Sequence, residues 1–99
     1  MRIEYGDDDL RRMATDRTFR LRQFGPNVLR AYRKKIQILD AAVDERDLQA
    51  LHSLSLKKLK GNRAGTYSIR LNEQFRLILA FHTDADARVV VVIELIDYH

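Results

Sequence analysis

The feature that most constrains this chain is a change of period at residue 66. Upstream, apolar residues recur every three to four positions. Downstream, TYSIRLN alternates Tyr67, Ile69 and Leu71 against Ser68, Arg70 and Asn72, and FRLILAF alternates Phe75, Leu77, Leu79 and Phe81 against Arg76, Ile78 and Ala80. A period of two belongs to strands with one buried face, so these segments form an antiparallel hairpin. The alternation also fixes its register, because residues directly opposite one another in such a pair share a face. A two-residue turn at Asn72-Glu73 pairs Ile69 with Arg76 and mixes the two faces. A three-residue loop, Asn72-Glu73-Gln74, pairs Leu71 with Phe75, Ile69 with Leu77 and Tyr67 with Leu79, and it sets Arg70 opposite Arg76. Two like charges across a ladder cost about 0.2–1 kcal/mol, unless an anion or carboxylate lies between them.

After a turn at TDADA, the run RVVVVIELIDYH reads as a third strand. It is apolar at both parities as far as Glu94, which suits an interior strand with helices on one side. Regular alternation puts Val89, Val91, Ile93 and Leu95 on one face with Asp97 and His99, and Val90, Val92, Glu94 and Ile96 on the other with Tyr98. Upstream, RIEY at residues 2–5 suits a short edge strand. Asp7 to Asp9 suit a helix start, and Leu10, Met13, Ala14 and Leu21 extend that helix over GDDDLRRMATDRTFRLRQF. In GPNVLRAYRKKIQILDAAV, Pro26 suits a first helical turn, and Val28, Tyr32, Ile36, Leu39 and Val43 form one stripe. Arg30, Arg33, Lys34 and Gln37 occupy the opposite face, which is either solvated or a contact surface for RNA or a partner. DERDLQALHSLSL reads as a turn and a short helical segment. The expected fold is α+β, a small antiparallel sheet with N-terminal helices packed on it, in one domain spanning residues 1–99.

Such a chain is too short to enclose a deep pocket, so its site belongs in a cleft on a sheet face. It has no cysteine, which removes disulfides and thiolate metal sites. The apolar run near residues 89–93 is too short to cross a bilayer, and MRIEYGDDD lacks the apolar core of a signal peptide. The expectation is a soluble cytoplasmic protein with no membrane role. A net charge of +4 and a pI near 9.7 favour an anionic partner.

Three polar groups stand out: the basic run LKKLKGNRAG with Lys57, Lys58, Lys60 and Arg63, the pair Arg70 and Arg76, and the ending Asp97, Tyr98, His99. His52, His82 and His99 have no ligand spacing, so no metal or other cofactor is implied. There is no Gly-x-Ser-x-Gly and no glycine-rich phosphate loop before a helix. What remains is a set of cations with one or two proton carriers, the minimum for metal-independent RNA cleavage. The 2′-hydroxyl must lose a proton, the pentacoordinate phosphate needs cations, and the leaving 5′-oxygen needs a proton. DNA lacks the 2′-hydroxyl for this route.

The same residues carry a resemblance. LKGNRAGTYSIRLNEQFRLILAF followed by VVVIELIDYH resembles the second half of the HigB-type toxins of the RelE/ParE toxin–antitoxin superfamily. The shared pattern is Leu-Lys-Gly, a basic loop with Gly65, Tyr67-Ser68-Ile69-Arg70, Gln74-aromatic-Arg76 and a closing Asp97-Tyr98-His99. It covers about residues 57–99; RKKIQILDAAVDERDLQAL fits the family's preceding helix more loosely, and the first 25 residues lie outside it. The resemblance implies a compact RelE-like, microbial ribonuclease-like α+β fold. It implies a ribosome-dependent mRNA endoribonuclease that inhibits translation, neutralised by a HigA-like helix-turn-helix antitoxin through which alone it meets operator DNA. Carried over by residue, His99 is the proton-transfer group with Tyr98 and Asp97 beside it in the cleft. Arg76 stabilises the transition state, while Lys60 and Arg70, within a basic cluster that includes Lys58 and Arg63, bind phosphate. Lys57 stands where several members have histidine and some glutamate, and a lysine there suits charge stabilisation better than general base catalysis. The superfamily also contains ParE-type members that poison DNA gyrase without nuclease activity, and a plain RNA- or ribosome-binding module is a further reading; the DYH ending and the QFR segment favour the nuclease.

Overall fold

A computed structural model describes residues 1–98 of the chain. Strand β1 (Arg2–Tyr5) leads to helix α1 (Asp8–Thr15), α2 (Pro26–Ala41) and α3 (Glu45–Ala50). Strands β2 (Lys57–Lys58), β3 (Tyr67–Arg70), β4 (Phe75–Asp84) and β5 (Ala87–Asp97) complete a five-stranded sheet of order β1-β5-β4-β3-β2. The expected α+β class holds, with one refinement. The sheet is mixed, because β1 lies parallel to β5 while the other three pairings are antiparallel.

The expected hairpin register is the one observed: Tyr67 faces Leu79, Ile69 faces Leu77 and Arg70 faces Arg76. The loop that sets it is an Asx turn, in which the Asn72 side-chain oxygen accepts the Gln74 and Phe75 amides at 2.9 and 2.7 Å. The second hairpin is longer than the sequence suggests. Strands β4 and β5 run to Asp84 and Ala87, joined by Ala85 and Asp86 with φ of 46° and 70°, the two positive φ values of a primed turn matched to strand twist.

The β5 alternation is corrected by a bulge. Ile78 faces Glu94 but Leu79 faces Val92, so Ile93 is an extra residue and parity inverts there. Val90 and Val92 therefore share the helix-covered face with Leu95 and Asp97, while Val89 and Val91 share the open face with Glu94, Ile96 and Tyr98. Period two does not register an extra residue inside a run that is apolar at both parities. Gly6 lies against the bulge, its amide donating to the Val92 carbonyl at 2.7 Å. A Cβ there would stand 3.3 Å from the Val92 and Ile93 carbonyl oxygens.

The core lies between the helices and one face of the sheet. Leu29, Tyr32, Ile36 and Leu39 of α2, with Leu10 and Met13 of α1 and Leu48 of α3, pack against Ile69, Leu77, Leu79, Val90 and Val92. Each fully buried aliphatic side chain contributes about 1.5–3 kcal/mol. The Tyr32 hydroxyl donates to the Leu10 carbonyl at 2.7 Å, tying α2 to α1, and burial pushes its phenol far above its ordinary pKa. Two helix limits differ from expectation. α1 stops at Thr15 rather than running through Leu21, because the Asp16 carboxylate accepts the Thr18 amide and hydroxyl at 2.9 and 2.8 Å, a local bond that competes with the helix. Val43 lies beyond the end of α2 and is 75% exposed, so it leaves the buried stripe. Its amide is taken by the Asp47 carboxylate at 2.8 Å in the turn into α3, which Asp44 caps.

Candidate functional site

The open face of the sheet is built in rows dictated by register. Lys57 lies opposite Ser68, Ser68 opposite Ile78 and Ile78 opposite Glu94. One row along, Arg70 lies opposite Arg76 and Arg76 opposite Ile96. Tyr98 follows on the same face, and the Arg76 guanidinium carbon lies 4.5 Å from the centroid of its ring, a cation–π contact.

The paired arginines are reconciled by backbone. Arg76 Nη1 donates to the carbonyls of Asn72 at 3.0 Å and Phe75 at 3.2 Å, and Arg70 Nε donates to the same Asn72 carbonyl at 3.4 Å. An uncharged carbonyl thus stands where a carboxylate or anion was expected, so the compensation is a dipole and the two guanidinium groups keep their full positive charge. Arg70 is exposed and Arg76 half-buried, which leaves both able to meet a phosphate from the open side.

The loop before β3 contributes the other cations. Positive φ at Gly61 and Gly65, 66° and 87°, turns the chain there. Arg63 reaches from this loop to Glu94 on β5, Nη1 to carboxylate oxygen 3.0 Å. The contact spans the row of Ser68 and Ile78, both of which are buried. Lys60 is exposed at the start of the loop. Lys57 shares the face of Ser68 and Arg70, whereas Lys58, opposite Tyr67, points to the other side.

The end of β5 is held by the Asn72–Gln74 turn. The Gln74 carbonyl accepts the Tyr98 amide at 2.6 Å, and its side-chain amide donates to Asp97 Oδ2 at 3.0 Å. Asp97 faces Phe75 and so points away from Tyr98. The structure thus brings Arg70, Arg76 and Tyr98 together, with Lys57 on the same face. It sets Asp97 at the edge as a partner of Gln74, turns Lys58 away and engages Arg63 with Glu94. His99 lies outside the described residues.

Sequence reasoning assigned no site role to three participants. Gln74 orders the C-terminal end, Asn72 supplies both the turn and the shared carbonyl, and Glu94 fixes the basic loop. The Asx turn was the available signal for Asn72, since asparagine begins a three-residue loop there. Glu94 carried a weaker one, as the first charge to interrupt the apolar run. Among the described residues no cluster of histidine, aspartate and glutamate could hold a metal ion, and no helix is long and apolar enough to cross a membrane.

Comparison with known proteins extends this picture. Residues 3–99 match the family of RelE-like toxins of the type II toxin–antitoxin system HigB, a match that takes in the N-terminal segment as well. Toxin HigB-1 of Vibrio cholerae is 37% identical over 78 residues, covering 79% of this chain and 81% of that protein. Among solved structures, a YoeB/ParE toxin from Agrobacterium tumefaciens superposes with a TM-score of 0.56 at 16% identity, covering all of both chains. The YoeB–YefM complex from Staphylococcus aureus gives 0.58 at 19%, covering all of this chain and 97% of that one. At these identities the structural likeness concerns the fold.

Proposed function

Since the chain belongs to the HigB family of RelE-like toxins from type II toxin–antitoxin systems, we propose that it is a metal-independent endoribonuclease that cleaves mRNA on the ribosome and so inhibits translation. The observation that carries this reading is the Arg76 guanidinium, stacked on Tyr98 and facing Arg70 across an open sheet face. A phosphodiester laid on that face meets two fixed cations, and Lys57 and Lys60 extend the positive track along the backbone. Arg76 stabilises the charge that develops on the pentacoordinate phosphate. His99 moves the protons, with Tyr98 beside Arg76 supporting that role, Asp97 ordering the strand end through Gln74, and Lys57 stabilising charge. Arg63 lines the RNA path from the basic loop, from its seat on Glu94, whereas Lys58, turned to the other side of the edge strand, adds only to the local positive potential. The cognate partner is a HigA-like helix-turn-helix antitoxin, through which the toxin meets operator DNA, and the site of action is the cytoplasm.

Induced expression followed by mapping of mRNA 5′ ends tests the reading. New ends at codon positions are expected, and His99→Ala should abolish both the ends and the toxicity. Full toxicity in that variant would remove His99 from the mechanism. DNA damage with intact transcripts would instead establish the ParE-like, gyrase-poisoning alternative, and translation arrest without cleavage would leave a ribosome-binding module.

A further inference from the structure

The sheet face does not account for the charge of this molecule. Residues 17–39 hold seven arginines and lysines and no aspartate or glutamate, while the whole chain is only +4. The basic excess therefore belongs to α2 and the segment before it, on the helix side of the sheet. There Arg20, Leu29, Arg30, Arg33, Lys34 and Gln37, with Pro26, line an open cleft of about 340 Å³.

We propose that this cleft is a docking site for an acidic peptide segment of a protein partner, separate from the sheet-face site. Two of its cations form fixed walls. Arg33 donates from Nε to the Met13 carbonyl at 2.9 Å and from Nη2 to the Asp16 carbonyl at 3.3 Å, satisfying the C-terminal end of α1. Arg20 donates to the carbonyls of its own loop, Arg17 at 2.6 Å and Phe19 at 3.0 Å. Because these acceptors are neutral, neither charge is cancelled. Arg30 and Lys34 stand one turn apart on α2, exposed, and among the described residues neither pairs with a carboxylate. The cleft thus presents four cations with no acidic side chain in its lining.

Its chemistry favours carboxylates over nucleic acid. No aromatic ring lines it, whereas binding single strands relies on rings that stack the bases. The nearby rings are occupied, Phe19 under the Arg12 guanidinium and Phe24 edge-on to Phe75. The buried Leu29 side chain and Pro26 give the floor an apolar component, which suits a peptide that alternates acidic and apolar residues. Since α2 and the sheet separate the cleft from Arg70, Arg76 and Tyr98, its occupant leaves the sheet face open.

Fluorescence anisotropy tests this with two probes: a labelled glutamate- and leucine-rich peptide of about 15 residues, long enough to form a helix, and a labelled single-stranded RNA. The peptide should bind the intact chain in a salt-sensitive manner, and saturating peptide should not displace the RNA. Arg30→Glu with Lys34→Glu should weaken the peptide by about tenfold or more while leaving RNA affinity within about twofold. Both side chains are exposed, and the milder pair Arg30→Gln with Lys34→Gln should give a smaller loss of the same kind. Unchanged peptide affinity in the charge-reversed variant would overturn the proposal. So would loss of RNA affinity in that variant, which would make the cleft a nucleic-acid surface, or displacement of RNA by the peptide.

Discussion

Two cationic surfaces lie on opposite sides of one sheet, and they are built differently. On the sheet face the cations are placed by strand register and then tied down: Arg70 and Arg76 on the Asn72 carbonyl, Arg76 on the Tyr98 ring, Arg63 on Glu94. On the helix face Arg30 and Lys34 project from α2 into solvent, and only the flanking Arg33 and Arg20 are held, by carbonyls. Charge alone does not separate the two surfaces; the degree of fixation does. Stabilising a developing charge requires groups already in position, because reorienting them at the moment of reaction forfeits the gain. Attracting a charged partner requires only access and potential.

The largest expected effect breaks that comparison at its centre. Under the proposed mechanism, Arg76→Ala should lower the cleavage rate by about 100- to 1,000-fold, with a modest change in thermal stability because the side chain is half-exposed. Charge reversal of Arg30 and Lys34 should leave the rate within about twofold, as expected for a distant, independent site. Comparable losses from both would mean that one continuous surface holds the RNA. Steady-state cleavage of a defined mRNA on ribosomes measures both. The next effect is smaller and tests fixation itself. Gln74 has no proposed role on the RNA itself, yet its carbonyl and side-chain amide hold Tyr98 and Asp97. Gln74→Ala should reduce kcat by about tenfold with little change in KM, since a misplaced group costs rate more than affinity. Gln74→Glu should be worse than Ala, because it sets a carboxylate against Asp97, and an equal effect of the two would argue against the side-chain contact.

The two surfaces were not equally legible in the sequence. Hairpin register followed from the alternation of Tyr67, Ile69 and Leu71 against Phe75, Leu77 and Leu79, because a slip by one residue would bury arginines. The facing of Arg70 and Arg76 was therefore readable, and so was the basic outer stripe of α2. The bulge at Ile93 was not, since valine and isoleucine at successive positions satisfy either parity; only the approach of Gly6 to β5 marks it, and that is a tertiary fact. The end of α1 was hidden because Asp16 fits a helix in pattern, and it ends this one through its own side-chain bonds to Thr18. The roles of Asn72 as carbonyl bridge and Glu94 as loop anchor depend on distances that no spacing rule contains.

A third prediction separates scaffold from site. Tyr32 lies on the inner side of the same helix that displays Arg30 and Lys34, and its hydroxyl is the buried bond from α2 to α1. Tyr32→Phe leaves the Leu10 carbonyl without that donor and should cost about 1 kcal/mol, read as a fall in Tm of about 4–8 °C for a domain of this size. Cleavage per folded molecule should be unchanged, because the sheet face is ordered by contacts of its own. A fall in kcat at temperatures where the variant is fully folded would show instead that the helix layer and the sheet face are coupled.

The smallest effect concerns the join between the layers. Arg88 of β5 holds the Glu45 carboxylate of α3, Nε to oxygen 2.9 Å together with a second bond from Nη2. That hydrogen-bonded pairing keeps the Glu45 carboxyl below its ordinary value of 4.5 despite partial burial. A carboxylate with a depressed pKa in the folded state contributes stability that is fully present above the unfolded value and is lost as pH falls through the folded one. Tm should therefore be insensitive to this pair above about pH 6 and should fall with acidification below about pH 4.5. Asp16, Asp44 and Asp84 are also depressed, by Thr18, Arg46 and Arg2 in turn, so an acid slope persists in any single variant. The contribution of Glu45 is isolated by the difference between the native chain and Glu45→Gln. That difference should be largest near pH 7 and shrink toward zero as pH falls through the depressed folded-state value of the Glu45 carboxyl. A gap of constant size across the range would show that packing rather than charge joins α3 to β5. The sheet face would then owe nothing to this ion pair, and the helix layer would rest on it by shape alone.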